Sequence, residues 1–465
     1  MKSFLIPICA LLITMSQAST RNQDLIKVLP GLPYSPPFQQ HSGYLQGLAS
    51  NQLHYWFVES QHNPKTDPLL LWLNGGPGCS SIDGLLTENG PFAVNDDGKT
   101  LYYRNTTWNK FANVLYLESP AGVGFSYNHV GKYHWNDDVV AQNNHAALHS
   151  FFKKFPSFTK NPFFITGESY AGVYIPTLVA RLLNDSSIAL QGFAIGNAVL
   201  SAKFNTDSSV YFAYYHGIIG DDLWAQLQLY CCTIDGCQFY QTKSQQCKKY
   251  SMQVRQMVSN HLNDYYIYGD CQGVSAKQFR IQHILDDWDQ VTGTGHPKGH
   301  PTAHPTPPVL PCIDSKAETI YLNRHDVRQA LHIPHYVPPW RVCSAAINKD
   351  YNRNVRSPID LFPKLLKKFR ALIYNGDVDI VCNFLGDEMA VSSLDRRVIE
   401  ERRPWFYNDT LGPQVGGYVV RYDKIDFLTI RGAGHMAPAI KPWQTYQAIY
   451  NFVFNRTYSD LPNIV

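Results

Sequence analysis

The most regular feature of the chain is a series of short apolar runs that each end in a glycine-rich turn. Such runs, apolar on both faces, are typical of buried strands in a mostly parallel sheet covered by helices, with functional side chains gathered where the strands end. Apolar residues at helical spacing predict a helix from Tyr170 to Leu183. The runs are LLLWLNGGPG (69–78), ANVLYLESPAG (112–122), FFITGESYAG (163–172), GFAIGNA (192–198), ALIYNGDVD (371–379) and FLTIRGAGH (427–435).

Residues 202–311 have a different sequence pattern. The apolar runs that end in glycine-rich turns stop here, and five cysteines lie within 231–271. We interpret this segment as a helical cap inserted between two parts of a core, residues 19–201 and 312–465. Its end, 293–311, repeats His-Pro at 296, 300 and 304, which favours neither helix nor strand. An exposed loop explains this composition better than a histidine-rich metal site does.

The charge balance of the 465-residue chain is close to neutral, with 40 basic and 37 acidic residues and a formal net charge of +3. This composition has no basic stripe or acidic tail, so it favours neither nucleic acid nor a membrane surface as a partner. With 44% hydrophobic residues, the chain can bury a large core. Composition therefore indicates a globular enzyme or binding protein.

The first 18 residues have the pattern of a secretory signal peptide, with Lys2, an apolar run from Phe4 to Ile13 and the small-residue sequence Ser-Gln-Ala before a cleavage site after Ala18. No later run is long enough to span a membrane. Cys9 lies in this segment, so nine of the ten cysteines remain, an odd number for an oxidising compartment. Predicted glycosylation sites are Asn105, Asn184, Asn408 and Asn455.

Ser169 in TGESYAG has the surroundings of a nucleophile elbow, a tight turn between a strand and a helix that needs small residues two positions on either side. Gly167 and Ala171 occupy those positions. The serine requires a base and an orienting acid. His435 ends one apolar run and Asp379 another, in the chain order Ser, Asp, His of α/β-hydrolases, although spacing alone leaves Asp377 as a rival acid.

The glycine-rich segment 74–81 (NGGPGCSS) fits a loop that donates a backbone N–H to an oxyanion, with the second N–H expected from Tyr170. A phosphate-binding loop is the competing interpretation, but the required Lys-Ser/Thr is missing. No His-Glu-x-x-His motif of zinc peptidases occurs either.

The blocks WLNGGPGCSS, ESPAGVGFSY, GESYAGVYIP, NGDVD and GAGHMAP together resemble the signature sequences of the serine carboxypeptidases, and the resemblance extends from Asp24 to about Phe454. It implies an α/β-hydrolase fold, with a mixed, mostly parallel sheet and helices on both faces, and neither metal nor cofactor. It also assigns Ser169 as nucleophile, His435 as base and Asp379 as orienting acid. Gly76 and Tyr170 become the oxyanion donors.

The same resemblance assigns the C-terminal carboxylate of a substrate to Asn74, Gly75, Glu88 and Glu168. Two carboxyl groups held together cannot both ionise cheaply, so this pair is expected to share a proton and to donate a hydrogen bond to that carboxylate at acid pH. Glu168 and Glu88 as separate solvated side chains are the alternative on sequence alone.

The resemblance also implies which cysteines pair and which one stays free. Cys382 is implied to be a free thiol that lines the substrate pocket, sensitive to mercurials but not catalytic. The implied bridge between Cys271 and Cys312 encloses the His-Pro segment, so it would hold the two pieces together if the chain were cut within that segment. The implied pairs are Cys79–Cys343, Cys231–Cys247, Cys232–Cys237 and Cys271–Cys312.

The sequence thus predicts a serine-type carboxypeptidase that removes the C-terminal residue of peptides at acid pH, with a hydrophobic preference implied by the family. A serine acyltransferase or esterase of the same fold is the first alternative, because the triad fixes only acyl transfer. A non-catalytic role as protective partner of lysosomal glycosidases is the second. The family leads us to expect a homodimer in the lysosome or outside the cell.

Overall fold

A computed structural model of the chain describes residues 23–259, 262–271, 312 and 314–462. The predicted signal peptide (1–18) and the His-Pro-rich loop (293–311) lie outside the described residues. No helix within the described ranges combines the length and the apolar character needed to cross a membrane.

Eleven strands of the described residues form one sheet, in the order β1-β2-β6-β3-β8-β9-β12-β15-β14-β13, with β7 paired to β2. The six strands from β6 to β15 in this order are parallel to one another, and the pairings of β2 with β6 and of β14 with β15 are antiparallel. The sheet strands are β1 (Gln40–Gln46), β2 (Asn51–Val58), β3 (Leu69–Leu73), β6 (Asn113–Leu117), β7 (Tyr127–Asn128), β8 (Phe163–Ser169), β9 (Leu190–Ala198), β12 (Arg370–Gly376), β13 (Val398–Asp409), β14 (Gly412–Tyr422) and β15 (Ile425–Ile430). Two small hairpins are β4 (Phe92–Val94) with β5 (Leu101–Tyr103), and β10 (Cys232–Thr233) with β11 (Gly236–Cys237).

All six apolar runs are strands of this parallel centre, which confirms the predicted α/β fold. Both faces of the sheet are covered, as β3 illustrates. Leu71 packs into a hydrophobic cluster on one face with Val173 of the helix Ala171–Leu182. Trp72, the next residue, packs into the cluster on the other face with Tyr446 and Ile449 of the helix Pro442–Val453. Successive side chains on a strand point to opposite faces, so a strand in a two-sided core has to be apolar throughout.

Helices alternate with the strands, and the helix predicted from Tyr170 to Leu183 is present as Ala171–Leu182. The helix Asp137–Lys154 is capped by the preceding residue Asn136, whose side chain accepts a hydrogen bond from the N–H of Val139. The other α-helices are Ser81–Asp83, Ala202–Tyr215, Asp221–Cys231, Gln245–Ser259, Lys316–Leu322, His325–Ala330, Ala345–Asp350, Phe362–Leu365, Phe384–Ser392, Ala437–Ile440 and Pro442–Val453. A π-helical turn spans Gly84–Asn89, and 3₁₀ turns span Trp108–Lys110, Pro156–Phe158 and Pro358–Leu361.

Three helices between residues 202 and 259 build a separate hydrophobic cluster that includes Phe212, Leu227 and Val254. Two disulfides, Cys231–Cys247 and Cys232–Cys237, fasten this part. The division into a core of two parts and an inserted cap (202–311) stays a prediction, since residues 272–311 lie outside the described ranges.

The long antiparallel hairpin of β13 and β14 was not predicted. β13 reads VIEERRPWFYND, and most of its side chains are exposed or half-buried because it forms the edge of the sheet. Its register with β14 shifts at three places, one of them beside Trp405. An exposed, bulged edge strand has neither the continuous apolar run nor the clean alternation by which strands are recognised in a sequence.

Candidate active site

Ser169 lies at the carboxyl end of β8, in a backbone conformation that side chains rarely adopt. Its φ is +63°, in the left-handed region, which costs on the order of 1–3 kcal/mol for a residue other than glycine. The N–H of Val199 donates to the carbonyl of Ser169 at 3.0 Å, and the helix Ala171–Leu182 begins two residues further on. This strained turn between strand and helix leaves Ser169 half-buried, at the surface of the site.

Small residues surround the turn because the backbones on either side approach closely. A Cβ on Gly167 would lie 2.2 Å from the carbonyl oxygen of Leu73 and 2.8 Å from the Cβ of Ala171. A Cβ on Gly75 would lie 2.4 Å from the backbone nitrogen of Tyr170. The glycine-rich loop 74–81 therefore packs directly against the nucleophile turn.

His435 and Asp379 are hydrogen-bonded to each other at the same edge of the sheet. Nδ1 of His435 lies 2.7 Å from Oδ2 of Asp379, and both side chains are buried. Asp377, the rival acid, instead accepts from the N–H of Gly432 at 2.6 Å. Geometry thus pairs the imidazole with Asp379 and fixes Nδ1 as the nitrogen that carries a proton toward it.

The carboxylate of Asp379 is held from several sides. Its oxygens accept hydrogen bonds from the N–H groups of Val381 and Cys382, at 2.9 and 3.1 Å, and from Nδ2 of Asn197 at 3.0 Å. Oδ1 of Asn197 in turn accepts from the N–H of Gly376, at 2.8 Å. These donors stabilise the negative charge and prevent the carboxylate from turning away from His435.

The loop 74–81 is fixed on both sides. The N–H of Asn74 donates to Oγ of Ser81, and the disulfide Cys79–Cys343 joins the loop to the segment after residue 341. Gly76, the predicted oxyanion donor, is exposed, whereas Gly75 and Asn74 are buried. Gly76 is thus open to solvent, next to the glycine that packs against Tyr170.

The carboxyl groups of Glu88 and of Glu168, the residue before Ser169, share Asn74 as a partner. Nδ2 of Asn74 lies 3.2 Å from Oε1 of each carboxyl group. The amide orientation is set by Trp72, whose Nε1 donates to Oδ1 of Asn74 at 2.7 Å. Both side chains are almost fully buried, and Glu88 comes from the π-helical turn Gly84–Asn89.

Burial raises the pKa of Glu88 to about 8, and the nearby charge of Asp83 adds to this effect. Burial also raises the pKa of Glu168 well above its usual range, reinforced by the charge of Glu88 and by the hydrogen bond between the two carboxyls. Two carboxylates can only accept, so a hydrogen bond between them requires a proton. The pair therefore retains at least one proton at neutral pH.

Tyr265 contacts His435, and Cys382 lies beside Asp379. The N–H of His435 donates to the carbonyl of Tyr265 at 2.7 Å, and the two rings meet edge-on with centroids 4.8 Å apart. Cys382 is the unpaired cysteine among the described residues, and it is buried. Burial, with the charges of Asp379 and other acids, raises the pKa of its thiol well above the usual value, so the sulfur is a neutral thiol rather than a nucleophile.

The structure thus brings the predicted residues together at one edge of the sheet, and it forms the four disulfides that the resemblance implied. Asn197 and Tyr265 were not predicted from the sequence. Asn197 is the second-last residue of the run GFAIGNA, so its place near the carboxyl edge was a usable signal. The four glycosylation candidates Asn105, Asn184, Asn408 and Asn455 are all exposed.

The fold and the arrangement around Ser169 define an α/β-hydrolase. The model of the serine carboxypeptidase family matches residues 30–455, and the chain belongs to that family. It is 44% identical to the mouse lysosomal protective protein over 96% of this chain and 98% of the relative. It is 40% identical to a serine carboxypeptidase of Caenorhabditis elegans over 94% of each chain.

A solved structure of a prohormone-processing carboxypeptidase from Saccharomyces cerevisiae superposes with a TM-score of 0.72, covering 94% of this chain and 96% of that one. Its sequence identity is 22%, so this likeness bears on the fold alone.

We expect the protein to lose stability as the pH rises from about 5 to 8. The folded pair releases its protons at a pKa raised to about 8 for Glu88, whereas unfolded glutamates release theirs near pH 4.3. The stabilisation from the retained protons is therefore present below the unfolded pKa and is lost as the pH rises through the folded pKa. Each such proton contributes about 1.4 kcal/mol per pH unit to the slope.

Urea unfolding at a series of pH values measures this slope. Glu168→Gln removes one of the coupled carboxyls, so the slope should become shallower, while the exposed Glu401→Gln should leave it unchanged. Equal slopes for Glu168→Gln and the wild type would mean that the pair does not retain a proton.

Proposed function

We propose that this protein is a serine carboxypeptidase that releases the C-terminal residue of peptides at acid pH through an acyl-enzyme on Ser169. The observation that carries the proposal is the buried carboxyl pair of Glu88 and Glu168 directly beside the nucleophile. A general serine hydrolase gains nothing from two acids at its oxyanion site. An enzyme that must hold a terminal carboxylate gains a hydrogen-bond donor that is present only while the pair keeps its proton.

The proposed reaction begins when Oγ of Ser169 attacks the last peptide carbonyl and gives its proton to Nε2 of His435. Asp379 stabilises the imidazolium through Nδ1. The oxyanion lies between the N–H groups of Gly76 and Tyr170, a placement supported by the close approach of the loop 74–81 to Tyr170. His435 then protonates the leaving amine. In the second step His435 takes a proton from the water that attacks the acyl carbonyl, and it returns a proton to Oγ of Ser169 as the shortened peptide leaves.

The substrate's terminal carboxylate is proposed to bind Nδ2 of Asn74, the backbone of Gly75 and the protonated member of the pair of Glu88 and Glu168. Trp72 supports this role of Asn74, because its hydrogen bond directs the NH₂ group toward the acids. A hydrophobic preference at the cleaved bond is supported by the ring of Tyr265, which meets His435 edge-on, and by the neutral thiol of Cys382 close to Tyr265.

Digestion of a defined peptide at about pH 5, where the pair keeps its proton, tests nucleophile and direction together. The wild type should shorten the peptide stepwise from its C-terminus, as followed by mass spectrometry. Ser169→Ala should abolish the reaction, and Ser157→Ala, which replaces an exposed serine, should not. Internal cleavage, or transfer of the acyl group to an acceptor other than water, would favour the acyltransferase or esterase alternative.

A comparison of a peptide with its C-terminal amide tests the carboxylate site itself. For the free peptide, kcat/KM should fall as the pH rises through the raised pKa of the pair, because two carboxylates repel a third. The amide lacks that charge, and its profile should fall less. Loss of a hydrogen bond to a charged group corresponds to roughly 10- to 100-fold in kcat/KM. Parallel profiles for the two substrates would contradict the proposal.

We also propose a location in the secretory pathway or lysosome, a homodimer, and a second role as a protective partner of lysosomal glycosidases. The four disulfides and the 44% identity to a lysosomal protective protein support these proposals. Light scattering reports the dimer. In a heat-inactivation assay of a lysosomal glycosidase, Ser169→Ala should protect as well as the wild type, because the binding role does not use the nucleophile. Absence of protection by both proteins would reject the partner role.

A further inference from the structure

A cluster of three metal-ligating side chains lies on the surface, away from Ser169. His145 and His149 are four residues apart on the helix Asp137–Lys154, so both project from one face of it. Asp185 follows the neighbouring helix Ala171–Leu182. One ligand atom from each residue lies within 4.8 Å of the others.

The carboxylate of Asp185 is oriented toward the two imidazoles. Its Oδ1 accepts from the N–H and the hydroxyl of Ser187, at 3.0 and 2.6 Å. Its Oδ2 lies 2.7 Å from Nε2 of His145 and 2.9 Å from Nε2 of His149. Three potential ligand atoms therefore converge, and Ser187 fixes the carboxylate from behind, as partners of metal ligands do.

We propose that His145, His149 and Asp185 form a binding site for a divalent transition-metal ion such as zinc. Two imidazole nitrogens and one carboxylate oxygen are a common zinc ligand set, with bonds of about 2.0–2.2 Å. A tetrahedral ion on such bonds needs ligand atoms a little over 3 Å apart. The two nitrogen–oxygen distances, 2.7 and 2.9 Å, have to widen only slightly, and the ligand atoms of the two imidazoles lie within 4.8 Å of each other. Exposure of the two imidazole side chains, 28% and 49%, leaves room for water as the fourth ligand.

The competing interpretation is an ion pair in which both imidazoles merely donate to Asp185. The described residues provide a matched example, because Nδ1 of His62 lies 3.0 Å from Oδ1 of Asp67, with one histidine instead of two. A single imidazole and a carboxylate hold zinc weakly, whereas the second imidazole completes a three-ligand set. His62 is therefore the natural control.

The ion would link the helix Asp137–Lys154 to the segment that follows the helix Ala171–Leu182. The second of these helices begins beside Ser169. The helix Ala171–Leu182 has 12 residues and is therefore about 18 Å long, which separates Asp185 from Ser169. The site is thus expected to stabilise the fold without entering the reaction. Zinc binding should raise the thermal midpoint and leave kcat unchanged.

Calorimetric titration of the chelator-treated full chain with ZnCl₂ at pH 7.5 tests the proposal, because the imidazoles must be neutral to bind. The titrations use a background in which His296, His300 and His304 are replaced by glutamine, so that the His-Pro segment contributes nothing. A single ion per chain should bind. His149→Gln and Asp185→Asn should each weaken binding by at least the roughly 10- to 100-fold that loss of a supporting partner costs.

His62→Gln should bind zinc like the parent protein and keep the zinc-dependent rise in the thermal midpoint, whereas His149→Gln should lose that rise. Circular dichroism without zinc checks that each variant is folded. No saturable binding, or equal binding by the parent and His149→Gln, would overturn the proposal and leave the cluster as an ion pair.

Discussion

Ser169 adopts a left-handed backbone at the end of β8, and this strained turn persists only because the surrounding chain leaves it no alternative. Gly167 allows the carbonyl of Leu73 to approach within a distance that no Cβ would tolerate. Gly75 does the same for the nitrogen of Tyr170. The parallel strands on both sides are buried on both faces, so they cannot shift to relieve the strain. The core of the protein thereby determines the position of one hydroxyl group.

The same turn explains why two acids can be buried beside it. Glu168 immediately precedes Ser169, so the turn that fixes the serine also fixes the carboxyl group of Glu168. This carboxyl group lies in the protein interior, where Asn74 contacts it together with Glu88. A second buried pair lies nearby, since Asp83 and Glu318 are also hydrogen-bonded and burial raises the pKa of both. Arg104 offsets only part of this negative charge. Retained protons are the remaining means by which so many acids stay buried.

Much of this arrangement could be predicted from the sequence, because the constraints that create it also restrict residue types. Continuous apolar runs predicted the parallel strands, and the small residues around Ser169 predicted the turn. The hairpin of β13 and β14 was missed, because an exposed edge strand leaves little apolar pattern. Tyr265 was missed because its contact with His435 joins residues far apart in the chain. The cluster of His145, His149 and Asp185 was missed for the same reason, since only the packing of two helices brings the carboxylate to the histidines.

On the proposed function, the substrate and the protons of the acid pair depend on each other. A terminal carboxylate bound to Asn74 brings a third negative charge to Glu88 and Glu168, and this charge raises the pKa of the pair further. The complex therefore holds its proton to higher pH than the free enzyme does. By linkage, the protonated enzyme must bind the carboxylate more tightly by the same factor. The C-terminal specificity of the site and its dependence on pH are thus two consequences of one shared proton.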